Sequence, residues 1–209
     1  RMNTDYEELA RPFKKMLFCK IFNEIFLSRG ETAIVIELGI GLFSNAAYYP
    51  EEIKEHIHII GVEPDTSRHE EAMKVAKLHG VNLRMITCWA EALPFADCSV
   101  DVILSTCTLC TVRDPATCLQ EAKRVLKHDG ILVFWEHVLC KTDHALAFRQ
   151  IHASDDEFET WGCRFDRHTL ERIQEAGFAR VFGIVDEECY LELTNAGLMS
   201  STAAGVAYK

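Results

Sequence analysis

The stretch Ala33-Ile34-Val35-Ile36-Glu37-Leu38-Gly39-Ile40-Gly41-Leu42-Phe43-Ser44-Asn45 constrains the fold of this chain more than any other. Ala33 to Ile36 is an unbroken apolar run rich in β-branched residues, the pattern of a strand buried on both faces. The run then breaks at two glycines. Gly39 and Gly41 have no Cβ to hold a ligand off the backbone, and they reach φ > 0 at no steric cost. Glu37 stands at the strand's carboxyl end, where open α/β sheets bind their ligands. Strand, acid, glycine turn and helix start together read as a cradle for a nucleotide-type cofactor.

Two glycine spacings compete. A dinucleotide site wants G-x-G-x-x-G, and counted from Gly39 its third glycine falls on Ser44. The spacing E-x-G-x-G-x-G has its acid at Glu37 and its first glycines at Gly39 and Gly41, with Phe43 at the last place. This second spacing suits S-adenosylmethionine (SAM). SAM has no phosphate; it offers a ribose diol, an adenine, an ammonium and a sulfonium, so a carboxylate in the turn is useful rather than repulsive. SAM is therefore expected over NAD. Phe43 is expected to crowd the cradle, and it supports an alternative: a catalytically degenerate SAM-fold binding or regulatory module.

Strands and helices alternate along the rest of the chain. A helix is expected from about Asp5 to Arg29 and is stopped by Gly30. A short helix after the glycine turn ends near Tyr49-Pro50. Strands follow at His58–Val62, Leu83–Cys88, Val100–Ser105 and Ile131–His137, with helices at Thr66–Leu78 and from Asp114-Pro115 to Leu126. Asp129-Gly130 is read as the turn into the fifth strand. This spacing calls for right-handed βαβ units and a parallel sheet. From Leu139 to Arg164 the periodicity is lost, and one or two short helices there form a lid-like insertion (139–165) at the strands' carboxyl ends. A helix at Arg167–Glu175 and closing strands at Val181–Val185 and Ala203–Tyr208 complete an antiparallel ending. The organisation is thus an N-terminal helical segment, 1–30, and one α/β domain, 31–209.

Composition bounds the partners. The 209 residues suffice for one α/β domain, and a formal net charge of -10 argues against nucleic acid, whose binding is driven by Lys and Arg. No apolar run approaches the roughly 18 residues of a membrane span. Lys14, Lys15 and Lys20 give the first helix a basic side, so peripheral membrane contact is one reading and packing over the cofactor mouth the other. Arg1 ahead of Met2 suggests a trimmed start, before which a further segment can lie. Nine cysteines without framework spacing point to free thiols in a reducing cytoplasm. Cys107-x-x-Cys110 is the one pair of cysteines with metal or redox spacing, and with no second C-x-x-C to complete a ligand set no metal site is read there.

Glu63, closing the second strand, is placed to accept both hydroxyls of a ribose. Ala90 and Glu91 follow the third strand, beside an adenine. Ser105, with Thr106 and Cys107, follows the fourth strand near the methionyl end. Asp101 is read as structural. Glu136 and His137 end the fifth strand and are the candidate catalytic pair, His137 as the base that turns a thiol into thiolate. His144 and His152 are lesser candidates in the insertion.

Glu37-Leu38-Gly39-x-Gly41, Trp89-Ala90-Glu91-Ala92-Leu93-Pro94-Phe95, Asp101-Val102-Ile103-Leu104 and Arg124-Val125-Leu126-Lys127-x-x-Gly130 resemble class I SAM-dependent methyltransferases of the type 11 domain group. Asn45 with Tyr49-Pro50, Leu109-Cys110, Phe134-Trp135-Glu136-His137-Val138, Gly162-Cys163 and Ala176-Gly177-Phe178 are most similar to the alkyl thiol methyltransferases within it. The resemblance implies a Rossmann-like, mostly parallel seven-stranded sheet with helices on both faces and an antiparallel last strand. It also implies SAM across the ends of strands one and four, with Glu37, Gly39 and Gly41 at the methionine part, Glu63 at the ribose, Ala90 and Glu91 at the adenine, and Ser105 near the amino group. Two features depart from the group: Phe43 at the last glycine place, and no hydrophobic N-terminal anchor within these residues. The expected activity is methyl transfer to a small-molecule acceptor, a thiol by preference.

Overall fold

The computed structural model describes residues 4–29, 32–185 and 187–209. Gly30, expected to stop the first helix, lies outside them. Helix α1 (Thr4–Arg29) leads into β1 (Ala33–Leu38), followed by β2 (Ile57–Val62), α2 (His69–Leu78), β3 (Leu83–Ile86) and β4 (Val100–Thr106). Then come α3 (Pro115–Val125), β5 (Leu126–His137), α4 (His144–Trp161), α5 (Thr169–Glu175), β6 (Arg180–Gly183), β7 (Tyr190–Glu192) and β8 (Ser201–Tyr208).

The strands form a single sheet in the order β3-β2-β1-β4-β5-β8-β6, with β7 paired to the other end of β8. All neighbours from β3 through β5 run parallel, and β8 runs antiparallel between β5 and β6. The expected mostly parallel sheet with an antiparallel last strand is met, and β7 brings the strands to eight rather than seven. The sheet's interior strands are buried on both faces, which is why β1 and β4 read as continuous apolar runs.

Period-two alternation divides the core. Val35, Val102, Leu104, Val133 and Trp135 face α1, whose Tyr6, Ala10, Leu17, Phe18, Ile21 and Phe22 are buried against that side. Ile36, Leu38, Ile103, Leu132 and Phe134 face the opposite layer, where α3 and α5 contribute Leu119, Ala122, Leu170 and Ile173. So α1 packs over the sheet, as its apolar stripe suggested. Of its three lysines, Lys14 is fully buried and donates to both carboxylate oxygens of Glu7, at 2.9 and 3.1 Å.

Several expected boundaries shift. The short helix after the glycine turn is a pair of 3-10 turns, Ser44–Tyr48 and Glu51–His56. Asp129-Gly130 is no turn: β5 begins at Leu126, and the extra residues are absorbed where its register against β4 slips between Val100 and Val102. The aperiodic insertion holds one helix, α4, anchored by buried Gln150, which accepts from Cys140 N–H and donates to Val138 and Leu198 carbonyls. Asp114 caps α3 ahead of Pro115 as expected, accepting from Ala116 and Thr117 N–H.

Asp101 is structural, as read. Its buried carboxylate accepts the Ile34 N–H at 2.9 Å and the Lys127 ammonium at 2.9 Å, tying the start of β1 to β4 and β5. Asp101→Ala should cost roughly 1.5–3 kcal/mol, the range for a hydrogen bond to a charged group. The urea midpoint measures it, and an unchanged midpoint would contradict the role.

Candidate active site

The strand order reverses between β1 and β4, and there, at the strands' carboxyl ends, a cavity of about 1160 Å³ opens. Its lining includes the glycine turn, Glu63, the Trp89–Glu91 segment, Thr106 to Thr108, His137, Cys163, Phe165 and residues 196–199, with Lys14 of α1 over it. That size takes a ligand of cofactor dimensions.

Both turn glycines are required, for different reasons. Gly39 has φ +56, and a Cβ there would lie 2.7 Å from Thr108 Oγ1, so the loop after β4 packs directly on this backbone. Gly41 has φ +57, and a Cβ there would meet nothing nearer than 3.8 Å, so the position is open toward the cavity. Its N–H donates to Glu63 Oε2 at 3.0 Å, while Asp65 N–H donates to Oε1 at 3.0 Å. Glu63 thus holds the turn in shape and keeps lone pairs facing the cavity.

At one end Glu37 is buried beneath the cavity. It accepts from Asn45 Nδ2 at 2.7 Å and Tyr49 OH at 3.0 Å, and burial pushes its pKa up to about 7 against those bonds and the nearby Lys14 charge. Asn45 also donates to Thr106 Oγ1 at 2.6 Å, while its own Oδ1 is buried with no partner. At the other end Ala90 is buried, and Glu91 divides its work. Oε1 accepts from Arg113 and Asp114 N–H, capping the loop, and Oε2 is buried with no partner. The Arg113 guanidinium stacks over the half-exposed Trp89 ring at 5.1 Å.

The strand faces decide the remaining candidates. Glu37, Thr106 and His137 share the α1 face, and all line the cavity. Ser105 and Glu136 point to the opposite face, so the expected placement of Ser105 beside the amino group and of Glu136 in a catalytic pair does not match the structure. Adjacent residues of one strand cannot both face one cavity. Ser105 Oγ instead donates to Glu136 Oε1 at 2.6 Å, and Glu136 also accepts Thr108 N–H at 3.1 Å and Cys110 N–H at 3.2 Å. Burial raises the Glu136 pKa, and these donors oppose it. Glu136 is a positioning residue for the loop after β4.

His137 is buried between the rings of Tyr6 at 5.0 Å and Phe165 at 5.3 Å. Its Nε2 lies 3.8 Å from Cys107 Sγ, and its Nδ1 lies 3.2 Å from Cys163 Sγ and 3.8 Å from Cys110 Sγ. Thr106 and Cys107, read from the sequence beside Ser105, do line the cavity. Lys14, Cys163 and Phe165 were not assigned to the site from sequence, and they reach the cavity only through tertiary packing.

Comparison with known proteins follows the same lines. Residues 36–134 match a family described as a methyltransferase domain. Thiol S-methyltransferase TMT1B of Rattus norvegicus is 32% identical over 178 residues, covering 82% of this chain and 72% of that protein. The chain belongs to the SAM-dependent methyltransferases. TMT1A of Homo sapiens, also a thiol S-methyltransferase, is 24% identical over 193 residues, covering 87% of this chain and 73% of the relative. A SAM-dependent methyltransferase from Aquifex aeolicus has the same fold, with a TM-score of 0.60 at 17% identity over 100% of this chain and 99% of its own.

SAM, the cofactor of this methyltransferase, fits the residues present. Two of the buried acceptors without a partner, Asn45 Oδ1 and Glu91 Oε2, belong to residues that line the cavity, as does Gly41 with its open side. Phe43 does not obstruct. It adopts φ 63, ψ 46 and turns its fully buried ring away from the cavity, 6.0 Å from the Tyr49 ring in the core under α1. The expectation that it crowds the cradle fails for that reason, and the degenerate-module reading loses its evidence. Phe43→Gly should relieve about 1–2 kcal/mol of left-handed strain but forfeit roughly 3–5 kcal/mol of buried packing. The melting temperature should fall while SAM affinity by calorimetry stays unchanged; a gain in affinity would show that the ring does intrude.

Proposed function

We propose that this methyltransferase transfers the methyl group of SAM to the sulfur of a small-molecule thiol. The observation that carries the reading is the second group of lining residues, His137, Cys163, Phe165 and Met199, which bounds the cavity beyond Glu37 and Thr106 with sulfur, aromatic and imidazole groups. A soft, weakly hydrated acceptor suits such a wall better than a hydroxyl or an amine. The thiol S-methyltransferase relatives support the same acceptor class. Among the described residues no helix is long and apolar enough to cross a membrane.

SAM supplies a methyl group already activated on a sulfonium, so the protein's task is to align the acceptor and exclude water. In this reading Glu37 and the free Asn45 Oδ1 bind the ammonium, with Gly39 and Gly41 giving the methionyl part access to the backbone. Glu63 takes the ribose diol, and Ala90 with Glu91 and Trp89 the adenine. α1 contributes Lys14 to the cavity lining and packs Tyr6 against His137. His137 is the polar group facing the acceptor, which reacts as thiolate.

Glu37 makes the binding pH-dependent. Its carboxyl is neutral below about 7 in the free protein, and a bound cation favours the ionised form, so cofactor binding expels a proton there. SAM affinity should therefore rise as the pH climbs between about 6 and 8, by at most about tenfold per unit. Glu37→Gln should bind more weakly and lose the pH dependence, and a wild-type affinity flat across that range would argue against the ammonium contact.

The acceptor class is tested by offering a thiol, the alcohol and the amine of one carbon skeleton. Thioether formation alone is expected, and equal turnover of the oxygen or nitrogen analogue would refute the thiol reading. His137→Ala should lower that turnover by about 100-fold or more, with SAM affinity by calorimetry unchanged.

A further inference from the structure

Three side chains from three separate segments meet at the acceptor end of the cavity. Cys110 follows β4, His137 ends β5, and Cys163 follows α4. Cys110 Sγ lies 3.3 Å from Cys163 Sγ, and His137 Nδ1 lies 3.2 Å from Cys163 Sγ and 3.8 Å from Cys110 Sγ. All three residues are buried, and their ligand atoms lie within 4.8 Å of one another.

We infer that Cys110, His137 and Cys163 form a zinc site whose fourth position opens to the cavity and takes the acceptor's sulfur. A tetrahedral ion with Zn–S of about 2.3 Å and Zn–N of about 2.0 Å separates two sulfurs by ~3.8 Å and a sulfur from a nitrogen by ~3.5 Å. Each observed distance lies within about half an ångström of that geometry. The donor set is soft, which selects zinc over magnesium or calcium, and two sulfurs, one nitrogen and an open place is a catalytic rather than a closed structural arrangement. A disulfide would need the two sulfurs at about 2.05 Å and would leave His137 unused.

The surroundings are those of a prepared site. Glu136 accepts the Cys110 N–H at 3.2 Å, and Arg164 N–H donates to the Cys110 carbonyl at 2.9 Å, so the segments bearing Cys110 and Cys163 are bound to each other. The other ring nitrogen of His137 faces Cys107 Sγ, which fixes the ring as outer partners of metal-bound histidines do. His137 and Cys163 line the cavity, whereas Cys110 lies behind them, so the open position points inward to where an acceptor sits.

The role of the ion rests on the thiol reading; the three ligands stand without it. Two cysteine thiolates and a neutral imidazole cancel the charge of Zn²⁺. An acceptor thiol coordinating as the fourth ligand releases its proton to solvent and is held as thiolate at neutral pH. A lone pair of that sulfur forms the new S–C bond, and the electrons of the broken C–S bond return to the donor's sulfonium sulfur. The products are a thioether and S-adenosylhomocysteine, and zinc keeps its oxidation state. In this assignment His137 holds the metal rather than the acceptor's proton.

The protein, purified without chelators, should carry about one zinc per chain by elemental analysis, and Cys110→Ser and Cys163→Ser should each reduce this toward zero. Because those variants remove buried groups, the wild-type chain is also reconstituted with Co²⁺. The near-ultraviolet sulfur-to-cobalt band and intense visible bands of a tetrahedral site are expected, and a small thiol added without SAM should shift the visible bands. A folded wild-type chain that neither retains zinc nor takes it up overturns the site, and thioether formation by such a chain would keep the methyl-transfer reading while returning His137 to proton acceptor. Visible bands that ignore added thiol overturn the assignment of the fourth position. Bound metal with no thioether product from any thiol would instead refute the thiol activity and leave the three-ligand site in place.

Discussion

A buried carboxylate holds the two ends of this site together. Glu136 has no solvent contact and gathers Ser105 Oγ and the backbone N–H groups of Thr108 and Cys110. Those bonds set the course of the loop after β4. The loop then packs Thr108 onto Gly39, its Oγ1 donating to the Leu38 carbonyl at 2.8 Å, and places Cys110 behind His137. One residue therefore governs both the shape of the glycine turn and the cluster of Cys110, His137 and Cys163. A buried acid with several donors is costly to disturb, since every orphaned N–H then bears its own desolvation cost.

The second constraint is the sheet's alternation. The α1 face presents Glu37, Thr106 and His137 from three neighbouring strands, and the opposite face keeps Glu136 and Ser105 for structural work. Burial beneath α1 lowers the local dielectric, which is why Glu37 holds its proton to about pH 7 despite accepting two hydrogen bonds.

Much of the fold was legible in local pattern. The apolar run of β1 required a two-faced burial, the two glycines required φ > 0, and Asp114-Pro115 announced a helix. Glu63, at the end of β2, and Glu91, in the loop after β3, were singled out in the sequence, and both line the cavity. Other signals misled because the same residues serve two geometries. Asp129-Gly130 has turn chemistry, but β5 used it to slip register against β4 instead of stopping. Phe43 sits at a place reserved for glycine, yet its backbone simply adopts the left-handed conformation and sends the ring to the core.

What the sequence determined by itself was most of the elements, their order along the chain and the chemistry of the turn, because hydrophobic period, glycine freedom and capping act over a few residues. Tertiary structure alone decided which of two adjacent residues faces the cavity, where the Phe43 ring goes, and that Cys110, His137 and Cys163 converge. These depend on strand register, on the packing of α1 and on the path of the chain after α4. The residues of that cluster lie 26 to 53 positions apart, and no local pattern records a contact made only when β4, β5 and the segment following α4 close around the same space.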